Sequence, residues 1–415
     1  MRIRVVSMLV VVVGVACASA AQKQVLADIS RELDRRDNGQ AVAAYERFRA
    51  ENGEDEAALR ALAVGSLRQA LASPDAAARR AAVETAERHD AAELYDDVTA
   101  LLGDEDDAVR AAAAGAVLRS HPDAARVLAS ALSSGSPEAR ALAVAALGRK
   151  IPDLARKEIR AALADPDDGV RAAAVAALAR TDDADALLAR AARDDRAGAV
   201  RAAAVAAVGR RDRGVARAAL ADPFLGARLA AVDALGKEGA RELLGADPYV
   251  ALRAAALLGD PAAGGAVLRA ALAAPDAALR ESALDEAAAI DPGPRAAELV
   301  VPLADDPEPR VRLAAGRALG RLGRADRARE VFAAALGADD EDVRRNAAAD
   351  LVAARDPRGE AALATLAASE SPATRRAAVA AFPPRRPLPA PVLAGLADVD
   401  FGVRVAAADL VLRAL

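Results

Sequence analysis

The sequence predicts an all-α protein, an α-solenoid of about twelve two-helix repeats. Two observations carry this prediction. The segment DPDDGVRAAAVAAL, at residues 165–178, recurs in near-copies along most of the chain, and such internal repetition is typical of solenoids. Alanine accounts for 122 of the 415 residues, whereas aromatic residues make up only 2%, and such small side chains let helices pack closely. Runs of alternating polarity, which would indicate strands, do not occur.

An arginine marks the register of each repeat. In most repeats apolar residues follow it at four and seven positions, as Val175 and Leu178 follow Arg171, and this spacing lies along one face of a helix. Successive register arginines are 25 to 32 residues apart, which leaves room for two antiparallel helices. We expect these residues to have a structural role between repeats: Arg79, Arg110, Arg140, Arg171, Arg201, Arg228, Arg253, Arg280, Arg312, Arg344, Arg375 and Arg404.

The residues before each register arginine predict where the first helix begins. In Asp165-Pro166-Asp167-Asp168, an aspartate can cap free backbone amides, and proline suits the first helical turn. The remaining carboxylates complement the positive end of the helix dipole. A short break, often at a glycine such as Gly209, precedes the second helix of the repeat.

Two stretches depart from the regular pattern. The repeats between Arg201 and Arg280 are shorter, and Phe224 and Tyr249 occur there. We expect these two aromatic side chains to fill the space that the missing turn leaves, and a contact role on an exposed loop is the alternative. The proline-rich segment 383–391 is expected to form a rigid loop between the two helices of one repeat.

The first twenty residues predict a signal peptide. An apolar run of about 12 residues follows two arginines, and it is too short for a membrane-spanning helix. The small-residue pattern after it predicts cleavage after Ala20 and a product exported to the periplasm or cell envelope. Cys17, the only cysteine, offers an alternative, which is acylation as in a bacterial lipoprotein and anchoring to the membrane.

The rest of the chain divides into a cap and an array. Residues 22–72 lack the register arginine and are predicted to form an N-terminal helical cap, and residues 73–415 form the repeat array. The chain ends soon after the first helix of the last repeat, at Leu415. The apolar end of a solenoid must be covered, so we expect self-association through this open C-terminal end.

The pattern Asp-Pro-x-x-x-Val-Arg followed by an alanine-rich helix resembles the HEAT repeat, in particular the short variety named after phycobilisome lyases. The resemblance covers about residues 70–415 and implies a stack of helix pairs. It also implies that the register arginine and a loop aspartate bridge neighbouring repeats, so we expect Arg171 to pair with Asp167 and Arg110 with Asp106. The lyase relatives make a lyase-like enzyme or an accessory subunit an alternative function.

The sequence offers no candidate catalytic residue, cofactor site or metal site. Neither His89 nor His121 has a cysteine or carboxylate at metal-ligand spacing, and the glycines do not form a phosphate-binding loop. The carboxylates recur at helix starts, as caps do, and not as an acid–base pair. The near-balance of 56 basic and 61 acidic residues argues against a polybasic nucleic-acid binder.

These observations favour a non-catalytic scaffold outside the cytoplasmic membrane. It would bind a protein or peptide partner through an extended charged surface. Because aromatic residues are scarce, arginine, aspartate and glutamate would make most of the contacts, and binding would weaken with salt. An envelope lipoprotein acting as a structural assembly factor, acylated at Cys17, is the alternative from a different class.

Overall fold

The computed structural model describes residues 19–181 and 183–415. Within these two stretches every regular element is helical and no strand occurs. The chain divides into two compact units. The terminal unit consists of the residues up to Ala131 together with Glu360–Leu415, and the central unit is Leu132–Gly359. Cys17 lies outside the described residues. Ala20, the predicted cleavage position, is the first residue of the first helix.

Seven α-helices lie in the N-terminal part of the terminal unit. They are α1 Ala20–Asp34, α2 Asn38–Asn52, α3 Glu56–Leu71, α4 Ala76–Arg88, α5 Tyr95–Ala100, α6 Asp107–Val117 and α7 Ala124–Ala131. Two short 3₁₀ segments, Ala92–Leu94 and Leu101–Gly103, flank α5. The predicted cap therefore consists of three helices, and α1 packs against both α2 and α3.

The central unit repeats one arrangement of paired helices. Its helices are α8 Pro137–Lys150, α9 Arg156–Ala161, α10 Asp168–Leu178, α11 Asp185–Asp194, α12 Gly198–Val208, α13 Arg213–Ala219, α14 Leu225–Ala240, α15 Pro248–Leu258, α16 Pro261–Leu272, α17 Ala277–Ile290, α18 Pro294–Val300, α19 Pro309–Arg321, α20 Ala325–Ala335 and α21 Glu341–Ala353. Short 3₁₀ segments occur at Ala162–Ala164, Arg241–Leu243 and Val301–Asp305.

Four further helices complete the chain: α22 Pro357–Leu366, α23 Pro372–Ala381, α24 Ala390–Gly395 and α25 Phe401–Ala414. Each of the twelve register arginines lies in the first helix of its repeat, and Arg404 lies in α25, the first helix of the last repeat. The predicted α-solenoid of about twelve two-helix repeats is confirmed. None of the helices in 19–181 and 183–415 is long and apolar enough to cross a membrane.

Local capping explains where the first helices begin. Asp167 precedes α10, and its side chain accepts a hydrogen bond from the backbone amide of Val170 at 3.1 Å. Asp400 plays the same role for α25, and Ser371 for α23. These side chains satisfy amides that the helix itself leaves unpaired, so the sequence pattern and the helix boundaries have one physical cause.

Small residues let the first helices pack closely. A Cβ atom added to Gly148 in α8 would lie 2.4 Å from Cβ of Ala177 in α10, so only glycine fits where these helices meet. In the shorter repeats, α14 is interrupted at Gly236, whose φ of 63° and ψ of −163° are not helical. Glycine adopts this positive φ without steric cost, and the kink separates the two helical segments of α14.

The C-terminal end of the array is not open. Helix α25 packs against α3 and α4, and its residues Leu410 and Val411 are completely buried. Asn38 donates a hydrogen bond from Nδ2 to the carbonyl oxygen of Leu396 at 2.8 Å, joining α2 to the residue after α24. The expectation of an uncovered C-terminal end is therefore wrong, and with it the basis for self-association there.

Candidate interaction surface

The register arginine reaches from one repeat to the next. Arg171 donates from Nε and Nη2 to both carboxylate oxygens of Asp195, at 2.8 and 2.9 Å, and from Nη1 to the carbonyl oxygen of Asp165 at 3.0 Å. The side chains of Arg171 and Asp195 are only 5% and 9% exposed. The pair thus ties the start of α10 to the loop that precedes α12.

The same bridge occurs in seven repeats. The accepting aspartate stands six residues before the next register arginine, and the pairs are Arg79–Asp104, Arg140–Asp165, Arg171–Asp195, Arg201–Asp222, Arg228–Asp247, Arg280–Asp306 and Arg375–Asp398. The expected partners were wrong, because Asp167 and Asp106 cap the helices that follow them. The aspartate six residues before each arginine is the sequence signal that identifies the acceptor.

The other five register arginines lack this bridge. Serine or alanine occupies the acceptor position after four of them, at Ser134, Ala274, Ala338 and Ser369. Arg110 pairs instead with Asp107, Arg344 with Glu341, and Arg253 with both Asp233 and Glu286. Arg404, in the last repeat, lies over the ring of Phe401 and donates to Gln69. Arg312 donates to backbone carbonyls of its own turn.

We expect the bridges to make stability sensitive to acid. The hydrogen bond from Arg140 lowers the pKa of Asp165 below 3.8, and Arg201 likewise lowers the pKa of Asp222, although partial burial opposes both shifts. A carboxyl whose pKa is lowered by folding stabilises the fold fully above its unfolded value. That stabilisation is lost as the pH falls through the folded value. Urea unfolding between pH 7 and pH 3 should show the free energy of unfolding falling steeply below about pH 4.

Asp165→Asn is the matching variant for this measurement. It should be less stable than the parent at pH 7 and should show a flatter pH dependence, because one titrating bridge has been removed. Asp153→Asn is the control, since the Asp153 side chain is 81% exposed and its pair with Arg156 is of the exposed kind, worth about 0–1 kcal/mol. A parent protein equally stable at pH 7 and pH 3 would contradict the prediction.

The histidines lie in different surroundings. His89 Nε2 is 2.9 Å from Oδ1 of Asp409, which also contacts Arg88 and Arg413. This carboxylate lies 320 residues along the chain, so sequence spacing could not reveal it. Nδ1 of His121 accepts a hydrogen bond from the amide of Asp123. Among the described residues, no three His, Cys, Asp or Glu side chains come together as a metal site would require.

The aromatic residues of the shorter repeats pack against their neighbours. Phe224 is 42% exposed, yet its ring lies where a Cβ on Gly198 or Gly226 would clash, at 2.4 and 2.6 Å. Tyr249 donates from its hydroxyl to Asp276 at 2.7 Å. Both side chains therefore contact a neighbouring repeat.

The proline-rich segment 383–391 lies against the N-terminal helices. Leu388, 3% exposed, accepts a hydrogen bond at its carbonyl from Arg49, and its amide donates to Glu54 at 2.9 Å. Arg386 pairs with Glu56 at 2.6 Å. The segment connects α23 to α24, as the sequence predicted, and it also joins the two ends of the chain within the terminal unit.

A row of exposed ion pairs crosses successive repeats of the central unit. Arg156 and Arg160 each pair with Asp183, at 2.6 and 2.8 Å, and Arg211 pairs with Asp185 at 2.6 Å. These five side chains are between 38% and 49% exposed. We call them the charged ridge. Exposed pairs are worth about 0–1 kcal/mol each, so they can exchange partners at little cost.

Comparison with known proteins agrees with this architecture. Residues 124–209 and 265–353 match the profile of HEAT repeats. No curated protein matches the chain in sequence.

Three solved structures are similar to the chain. Kap121p shares 16% identity at a TM-score of 0.36, and the karyopherin Kap121p bound to the extreme C-terminus of the protein phosphatase Cdc14p shares 15% at 0.37. Each match covers 86% of this chain and 48% of the other, so the chain spans about half the length of these structures. An engineered protein shares 20% identity at a TM-score of 0.26, with 78% of this chain and 97% of the other covered.

Proposed function

We propose that this α-solenoid of HEAT repeats is an exported, non-catalytic scaffold that binds a protein partner through the charged ridge. The observation that carries the proposal is the set of exposed ion pairs of Arg156, Arg160 and Arg211 across neighbouring repeats. These exposed arginine and aspartate side chains can form ion pairs with a partner whose surface carries the complementary charges. Such a surface gives specificity and fast association more than tight affinity.

The roles of the buried charges support a scaffold over an enzyme. The register arginines and their acceptors hold repeats together, as Arg171 and Asp195 do, and the loop aspartates cap helices, as Asp167 does. These arginines and aspartates therefore already form hydrogen bonds that stabilise the fold. The charges of the ridge are exposed, and their ion pairs can be exchanged for pairs with a partner.

Affinity capture from the native envelope tests this proposal. The chain starting at Ala21 should retain a stoichiometric partner at low salt and release it at high salt, because exposed charges are screened. The double variant Arg156→Glu/Arg211→Glu should lose the partner. The matched control Arg119→Glu/Arg310→Glu makes the same charge change at two exposed arginines outside the ridge and should retain it. Equal capture by both double variants would reject the ridge as the binding surface.

One observation favours acylation at Cys17 as the route to the envelope. Ser19 caps α1 by accepting a hydrogen bond from the amide of Gln22 at 3.1 Å. Cleavage after Ala20 would remove this cap, whereas processing before Cys17 would keep it. Loss of a serine cap costs about 1 kcal/mol. Intact-mass analysis of the chain isolated from the envelope separates the two forms, since one begins at Ala21 and the other carries lipid on Cys17.

A further inference from the structure

One register arginine of the central unit faces an empty carboxylate position. Arg312 donates from Nη1 to the carbonyl oxygens of Asp306 and Pro307, at 2.8 and 3.0 Å, as Arg171 does to Asp165 and Pro166. Nη1 of Arg312 is therefore held by the same two backbone carbonyl positions as Nη1 of Arg171. The acceptor position six residues before Arg344, however, is occupied by Ala338. Among the described residues, Nε and Nη2 of Arg312 have no hydrogen-bond acceptor.

A cavity occupies the place of the missing carboxylate. It has a volume of about 350 Å³, and its lining includes Arg312, Arg327 and Ala338 together with the acidic residues Asp305 and Glu330. Apolar side chains such as Val331 form another part of its wall. The cavity is large enough for a small organic acid or an acidic side chain, since ligand pockets begin near ~300 Å³.

Two arginines and two acidic residues line the cavity, and among the described residues Arg312 is the one of these four without an ion-pair partner. Arg312 contributes an uncompensated cation. Arg327 contributes a second, which pairs with Asp305 at 3.7 Å and Glu330 at 2.9 Å. The side chains of both acidic residues are exposed, at 83% and 65%, so water screens them more than it would screen a ligand inside the cavity.

The backbone around Ala338 has the geometry that an acceptor needs. Arg344 donates from Nη1 to the carbonyl oxygen of Ala338 at 2.7 Å, as Arg171 does to Asp165. In the bridged repeats the residue at this position carries the carboxylate that binds Nε and Nη2 of the preceding register arginine. Residue 338 thus has the same backbone hydrogen bond as the acceptor aspartates and differs from them only in lacking the carboxylate.

We propose that the cavity beside Arg312 binds a carboxylate group. Two parallel hydrogen bonds from Nε and Nη2 would hold it, in the arrangement that planar guanidinium and carboxylate groups favour. The group is either a free small carboxylic acid or an acidic side chain of a bound peptide. This site is separate from the charged ridge, and carboxylate binding at the cavity does not depend on a partner bound to the ridge.

Titration with acetate tests the site directly. In the full chain from Ala21, the backbone amide resonances of Gly337 and Ala338 should shift saturably with acetate and not with chloride at the same ionic strength. Arg312→Gln should weaken acetate binding by about tenfold or more, the loss of at least 1.4 kcal/mol. Ala338→Asp should abolish the saturable shift, because the new carboxylate occupies the site. Ala338→Ser, which places here a residue found at Ser134 and Ser369, should leave it.

Two short peptides distinguish the sources of the carboxylate. An acetyl-Gly-Asp-Gly-amide peptide that shifts the same resonances, while its asparagine counterpart does not, supports an acidic side chain as the ligand. Binding of acetate without the peptide supports a free small acid. Equal shifts with acetate and chloride, or undiminished acetate binding by a folded Arg312→Gln variant, would overturn the proposal. Circular dichroism of each variant establishes that it is folded.

Discussion

Replacing Arg171 with alanine is expected to lower the free energy of unfolding by about 3 kcal/mol. Removal of one partner of a buried ion pair leaves the other charge without compensation, at a typical cost of about 3–5 kcal/mol. Asp195 is only 9% exposed in its side chain. It keeps one hydrogen bond from the amide of Ala197, and water can enter where Arg171 was, so we place the cost at the low end. Urea unfolding at pH 7 followed by circular dichroism measures this loss.

Arg312→Ala provides the matched control within the same chain. Arg312 has the same position in its repeat and the same backbone acceptors, Asp306 and Pro307, but it lacks the acidic acceptor. Its loss should cost about 1.5 kcal/mol, the low end of the range for hydrogen bonds that involve a charged group. Similar costs for the two substitutions would mean that the bridge to Asp195 contributes little.

The bridge also affects how repeats couple to one another. In a repeat array each repeat contacts its neighbours, so stability is the sum of repeat terms and interface terms. Arg171 belongs to the first helix α10, whereas Asp195 precedes the first helix α12 of the next repeat. Removing the bridge therefore weakens an interface term, and the unfolding transition should become broader as well as earlier.

The repeat register could be predicted because its causes are local. Asp167 caps the helix that begins one residue later, and Val175 and Leu178 face the core from the same helix. Because a few neighbouring residues determine both the start of the helix and its buried face, the repeated sequence segment predicts the repeated helix. The acceptor of Arg171 was misassigned for a related reason. Asp167 lies close to Arg171 in sequence but caps the helix, and only the packing of successive repeats brings Asp195 of the next loop to the guanidinium.

The closure of the terminal unit could not be predicted from such patterns. Asn38 bonds the backbone of Leu396, and His89 contacts Asp409, across more than 300 residues of chain. Nothing in the local sequence of the last repeat distinguishes a helix packed on α3 from one with a free face. The same apolar residues of α25 would have been expected on an exposed end that awaits a partner.

Val411→Asp is expected to separate the last helix from the N-terminal helices. Val411 is completely buried in α25, which packs against α3, α4, α23 and α24. An ionised carboxylate there would lose its hydration without a partner, at a cost of several kcal/mol. The total stability of a domain is only about 5–15 kcal/mol, so a loss of this size should release α25. Hydrogen exchange should then show loss of amide protection in α3, whose residues lie more than 300 positions away in the sequence.

Val399→Asp is the control, because it makes the same substitution two residues before α25 at a side chain that is 84% exposed. Substitutions at such positions usually change stability by less than about 0.5 kcal/mol, so α3 should remain protected. Amides of α17 report on the central unit, and they should be unaffected by either variant, since the four helices packed against α25 lie in the terminal unit. Unchanged protection of α3 in Val411→Asp would mean that the N-terminal helices are stable without α25. In that case the contact between the two ends of the chain would not contribute to the stability of the N-terminal helices.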